Sequence, residues 1–279
     1  MLGKIIRHEF KDTGKVCGLI LTVIAVVTLI GALALILPAV FMEDAWSFKN
    51  DTAGTLLILM LTMTMMIYVV MLMGVTYGMM IYQGVHFYKT MYSDEGYLTQ
   101  TLPVTKHQLL FGKTLVAGIW YLVMMLCIGI SVILLILSLA FSVGAGLPTP
   151  SEMRDIMWQV GELSREIGFE TLHMVISVVL LLLISPFSAM LMIFGGLTIG
   201  QLASKHKAMM GILAYFGIMI VYMLIGNIVQ FIFNFGGLLS GGGPSVAFAY
   251  DGTTIVALVM GVSMYFISHY ILTNRLNME

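Results

Sequence analysis

Six stretches of this chain, at roughly 16–41, 55–81, 115–141, 172–202, 209–235 and 253–272, contain no Asp, Glu, Lys or Arg. A helix needs about 20 apolar residues to cross the hydrocarbon core of a bilayer, and each stretch supplies them. In lipid the backbone has no water to bond, so a spanning segment must satisfy its own N–H and C=O groups. Strands manage this only in a closed barrel, and the apolar/polar alternation of barrel strands is absent. The expectation is an all-α polytopic membrane protein with six transmembrane helices in a single transmembrane domain, 1–279. Composition agrees, with 59% apolar and 10% charged residues. A soluble domain carries about a quarter charged residues. A soluble enzyme, a disordered chain and a nucleic-acid binder, which needs a basic surface, are excluded. The first stretch is too long for a signal-peptide core and no small-residue cleavage site ends it, so it is expected to be retained. Cys17 and Cys127 lie in apolar stretches and suggest no disulfide framework.

The few charges set an orientation. Segments 1–15, 82–114, 203–208 and 273–279 share one side of the membrane and hold ten Lys and Arg. Segments 42–54, 142–171 and 236–252 hold three. Cytoplasmic loops are enriched in Lys and Arg, so both termini are expected in the cytoplasm of a cell with this protein in its cytoplasmic membrane.

Between the spans, residues 1–15 predict an interfacial amphipathic helix. On a wheel of 100° per residue, Leu2, Ile5, Ile6 and Phe10 gather on one side and Lys4, Arg7, Lys11 and Lys15 on the other. Such a helix lies in the headgroup layer. Glu9 falls, against the pattern, on the apolar side. The loop 82–114 is the longest cytoplasmic segment. Ser93-Asp94-Glu95 is a helix-start signature, with acids near the positive end of the dipole. Pro103 biases Leu102 away from helix, so this helix is short. Thr105-Lys106-His107-Gln108 then forms a capping box that opens a helix running into the third span. A short helix held between two span ends is a rigid handle suited to docking a cytoplasmic partner, or else a structured connector.

On the other side, Thr149-Pro150-Ser151-Glu152 is a second capping box with Pro at the first helical position. Met153, Ile156, Met157, Val160, Leu163 and Ile167 follow at helical spacing, predicting a helix on the external face or over the translocation path. The last loop, Gly236 to Gly252, is too glycine-rich for a helix and reads as flexible or re-entrant.

Few residues suggest chemistry. Gly112-Lys113-Thr114 resembles the end of a phosphate-binding loop, but His107 stands where the first glycine belongs, so the match is chance. There is no H-E-x-x-H, no G-x-S-x-G and no pair of carboxylates within the spans. The chain is therefore expected not to be an enzyme, and no metal site is assigned. The methionines of the second span (Met60, Met63, Met65, Met66, Met71, Met73, Met79 and Met80) suit adaptable packing or an apolar lining better than Cu(I), since residues two apart diverge around a helix. Asn227, Gln230 and Asn234 share one face of the fifth span, where they either join helices or face a substrate path. Pro186 is expected to kink the fourth span. Gly196 and Gly200, like Gly74 and Gly78, form small-xxx-small faces for close helix contact. Ion-coupled carriers usually hold ionisable residues in their spans. These spans hold no Asp, Glu, Lys or Arg, and His173 and His269 near span ends read as structural.

The layout resembles the type-2 ABC exporter permeases, the membrane subunits of bacterial ABC transporters. In detail, Tyr92-Ser93-Asp94-Glu95-Gly96-Tyr97-Leu98-Thr99-Gln100-Thr101-Leu102-Pro103-Val104-Thr105 is similar to the E-G-Y-L-T-x-T-L-P-V-[ST] run of permeases from Gram-positive bacteria. Ile199-Gly200-Gln201-Leu202, followed by Lys205-His206-Lys207, is similar to their fourth cytoplasmic boundary. The resemblance implies that residues 93–101 are a coupling helix between the second and third spans. Ser93, Asp94, Glu95, Gly96, Tyr97, Leu98 and Thr99 would then contact a separate nucleotide-binding ATPase subunit. It also implies a second permease chain, identical or related, with ATP and Mg held by the ATPase and no cofactor by this chain. The family often has small helices between its last two spans, and Gly236–Gly252 departs from that. The function implied is ATP-driven export of a hydrophobic or amphiphilic substrate, peptide, drug or lipid-like. A stand-alone secondary carrier and a non-transporting polytopic scaffold are the alternatives.

Overall fold

The computed structural model describes residues 2–41, 52–93, 96, 104–142, 150–167, 169–239 and 246–274. These are almost wholly helical and contain no strand. The helices are α1 (Leu2–Phe41), α2 (Thr52–Tyr92), α3 (Lys106–Ser142), α4 (Pro150–Ile167), α5 (Phe169–Gly200), α6 (Lys207–Leu239) and α7 (Val246–Asn274). All but α4 are long and apolar enough to cross a membrane, six in number among the described residues. The chain is a multi-pass, all-α membrane protein.

Several helices run well past the charge-free stretches. α1 has 40 residues and α2 has 41, about 60 Å of helix at 1.5 Å per residue against a hydrocarbon core of about 30 Å. Residues 2–15 are helical as expected, but they continue into the first span without a break. The expected segment 82–114 is corrected at its beginning, because α2 continues helical through 82–92, while α3 begins at Lys106 as its capping box predicts. Hydropathy marks where lipid ends, whereas a helix continues for as long as its side chains find partners. Residues 82–92 find them: Gln83 and Phe87 are buried. The capping box at Thr105 is present, with the Gln108 N–H donating to Thr105 Oγ1 at 3.3 Å.

The expected Gly-rich loop 236–252 is helical at 236–239 and 246–252, and residues 240–245 lie outside the described residues. α6 extends to Leu239 and α7 starts at Val246. A Cβ on Gly252 would stand 3.0 Å from Phe233 and Val229, so the glycine lets α7 approach α6 closely. α5 continues unbroken through Pro186. The predicted helix after Thr149 is α4, which exposes Met153, Met157 and Trp158.

The chain divides into two compact units. One comprises Met1–Gly14, Met80–Leu122 and Ser164–Glu279. Here α5 packs along both α6 and α7, and α6 packs on α7. Met192, Ile218, Val256, Met260 and Met264 form the core of the three helices. With no hydrophobic drive between helices in lipid, close approach of backbones matters more. A Cβ on Gly196 would stand 2.8 Å from Tyr215 Cα, and one on Gly200 would overlap Gly211. The Gly196/Gly200 face is therefore a helix crossing. Gly74 and Gly78 have nothing near them.

The other unit comprises Lys15–Met79 and Val123–Leu163. In it Thr28 of α1 and Tyr68 of α2 both share hydrogen bonds with Ser131 of α3. Thr28 and Ser131 also line an apolar groove of about 720 Å³ bordered by α1 and α3, with Leu21, Ile24, Ile36, Cys127, Ile130 and Leu134 among its other lining residues.

Candidate functional site

Buried polar contacts of the first unit concentrate where α2 ends and α3 begins, the two ends that flank residues 93–105. The largest group centres on Glu9. Its anomalous place on the apolar side of α1 is explained by Lys113, whose ammonium donates to Glu9 Oε1. Glu9 Oε2 lies 3.2 Å from His86 Nε2, and Asp12 Oδ2 lies 3.8 Å from the same nitrogen. Lys113 also donates to Thr90 Oγ1 at 2.9 Å. The side chains of Lys113 and Glu9 are 4% and 12% exposed. Burying a lone charge is costly, so charges at this depth persist only as hydrogen-bonded pairs. Gln83, Phe87 and Phe194 close the group around a cavity of about 10 Å³, roughly the room one water needs.

Each helix end beside residues 93–105 has its own tie. At the end of α2, Tyr92 and Thr198 of α5 share a hydrogen bond of 2.7 Å. One turn earlier Phe87 stacks on Phe194, with ring centroids 3.9 Å apart. At the start of α3, Lys106 Nζ donates to the Leu272 carbonyl of α7 at 2.6 Å. The Gly96 N–H donates to Ser93 O at 2.7 Å, folding the chain back on the end of α2. A Cβ on Gly96 would stand 2.5 Å from the Met91 carbonyl, so only glycine fits this approach.

A second group links α5 and α7 elsewhere in this unit. His173 Nε2 lies 2.7 Å from Asp251 Oδ2, and Ser177 Oγ donates to Asp251 Oδ1 at 2.5 Å. The serine bonds the carboxylate and its own helix, not the imidazole, so no nucleophile is set up. Both groups hold helices together. Among the described residues, no three His, Cys, Asp or Glu converge on a metal position.

The residues expected to matter are distributed unevenly. Ser93 is exposed at the end of α2, and Gly96 is buried. Asp94, Glu95, Tyr97, Leu98 and Thr99, the body of the expected coupling helix, lie outside the described residues. Asn227 and Gln230 are exposed on α6, with Asn227 Nδ2 donating to the Met223 carbonyl at 2.8 Å. The Asn234 side chain lies outside the described residues. The Glu9–Lys113 pair was not anticipated from sequence, although an acid on the apolar side of an amphipathic helix was the signal. Lys113, dismissed with its Gly-Lys-Thr neighbours as a chance motif, is its counter-ion. No protein family, curated protein or solved structure matches this chain.

Proposed function

We propose that the chain is the permease subunit of an ATP-driven exporter of the type-2 ABC class. It would move a hydrophobic or amphiphilic substrate, peptide, drug or lipid-like, across the cytoplasmic membrane. A separate ATPase subunit, holding ATP and Mg, would supply the energy, and a second permease chain would complete the path. Both termini then lie in the cytoplasm, as the ten-to-three division of Lys and Arg suggests.

The observation that carries the reading is the mounting of residues 93–105, the run similar to the family's coupling segment. Tyr92 on one side is tied to α5, and Lys106 on the other is tied to α7. Two turns into α3, Lys113 is tied to Glu9 of α1. A push delivered to a handle mounted this way reaches three helices through short polar links. The apolar groove between α1 and α3, with only Thr28, Ser131 and Ser138 hydroxyls among its polar lining, suits an amphiphile better than an ion.

The test is charge reversal. In Asp94→Lys/Glu95→Lys, association with a co-purifying ATPase, and stimulation of its hydrolysis, should fall at least tenfold while the permease remains folded. Unchanged ATPase stimulation and export in that variant would defeat the coupling assignment. ATP hydrolysis by the purified chain alone would defeat the subunit reading.

A further inference from the structure

An isolated interfacial helix keeps its apolar side in the membrane. The first turns of α1 do otherwise. Leu2, Ile5 and Ile6 all lie within 3.9 Å of where a Cβ would stand on Gly112 of α3. Phe10 lies against Trp120 of α3, with ring centroids 5.9 Å apart. Glu9, between them, is taken by Lys113. The apolar side of this segment is spent on the protein.

The opposite side is left bare. Lys4, Arg7 and Lys11 are exposed, and none makes an ion pair or hydrogen bond among the described residues. Spaced three and four apart, they fall within roughly 60° of arc on the helix. The acids nearby do not neutralise them, because Glu9 is paired and Asp12 faces His86.

Their distance from the bilayer follows from the helix. The charge-free stretch of α1 begins at Val16. At 1.5 Å per residue, Lys11 lies about 7 Å beyond it, Arg7 about 13 Å and Lys4 about 18 Å. The headgroup layer is about 5–7 Å deep and the screening length about 8–10 Å. Lys11 therefore stands at the headgroups, Arg7 lies within their field, and Lys4 lies at its edge.

We propose that Lys4, Arg7 and Lys11 form a binding surface for anionic phospholipid headgroups, so that this segment recognises the membrane by charge and not by insertion of its apolar side. The complementary surface is negative and continuous, and it begins where the stripe begins. The contact does not depend on the transport reading.

Native mass spectrometry of the full chain in neutral detergent, titrated with phosphatidylglycerol or phosphatidylcholine of matched acyl chains, tests the proposal. The wild type should prefer phosphatidylglycerol, by about fivefold for a charge at the surface. Lys4→Gln/Arg7→Gln/Lys11→Gln should bring the two affinities together. Of the single changes, Lys11→Gln should cost most and Lys4→Gln least. Lys4→Arg/Lys11→Arg and Lys205→Gln/Lys207→Gln should keep the preference. Equal affinities in the wild type would overturn the proposal and leave the stripe to an acidic protein surface. A preference that survives the triple change, or that is lost with Lys205 and Lys207, would overturn it as well.

Discussion

Lys113 of α3 is bound to Glu9 of α1 across 104 positions of sequence, deep enough that the lysine side chain is 4% exposed. Such a pair is less a source of net stability than a constraint. Charges taken from water are repaid only while both partners are present. The pair therefore commits the first turns of α1 to one register against α3.

Removing one partner should be worse than removing both. Lys113→Met strands a carboxylate beside His86 and should cost about 3–5 kcal/mol. Glu9→Gln/Lys113→Met should recover part of that loss. Denaturant or thermal unfolding in detergent measures both. A double variant as unstable as the sum of the singles would mean that the two residues act independently.

The α5–α6 crossing should tolerate no side chain. Gly196→Leu and Gly200→Leu would each place atoms on the backbone of α6, at Tyr215 and Gly211. Each should destabilise by several kcal/mol, since a backbone cannot yield as a side-chain tip does. Gly74→Ala, where nothing lies within 4 Å, should be neutral or stabilise by up to about 1 kcal/mol. Melting temperatures of the three variants separate packing glycines from incidental ones.

The contact of His173 with Asp251 should appear as coupling. A double-mutant cycle of His173→Gln and Asp251→Asn should give an interaction of about 0.5–3 kcal/mol. Ser177→Ala should cost about 1.5–3 kcal/mol, the range for a hydrogen bond to a charged group. Additive effects throughout would remove any link between α5 and α7 at this point.

The two thiols should differ in reactivity. Cys17 is fully buried, while Cys127 is partly exposed along the apolar groove. A membrane-permeant maleimide should modify Cys127 in the folded protein and Cys17 only after unfolding. Peptide mass spectrometry of the labelled chain reads the order, and early modification of Cys17 would contradict the packing of α1.

Much of this fold is written along the chain. Length, apolarity and missing charge are local properties, and lipid acts on them segment by segment, so the six spans follow from hydropathy alone. The start of α3 was equally legible, since the Thr105 cap acts within one turn. The ends of α2 and α6 and the start of α7 were not. Residues 82–92, 236–239 and 246–252 carry polar or glycine-rich sequence, which at the level of local propensity argues for loop. They stay helical where neighbouring helices accept them: Tyr92 on Thr198, Gly252 against Phe233.

The polar ties were hidden for the same reason. Composition counts charges and can assign them to a side of the membrane, but an ion pair is a property of two positions brought together. Glu9 showed its need for a partner by its place on the wheel, and Lys113 showed nothing. Local chemistry, acting over a few residues, was enough to mark the six helices, among the described residues, that are long and apolar enough to cross a membrane. Only packing, which sets far-separated helices side by side, decided that Glu9 meets Lys113, and with it which side of α1 faces the protein and which is left exposed.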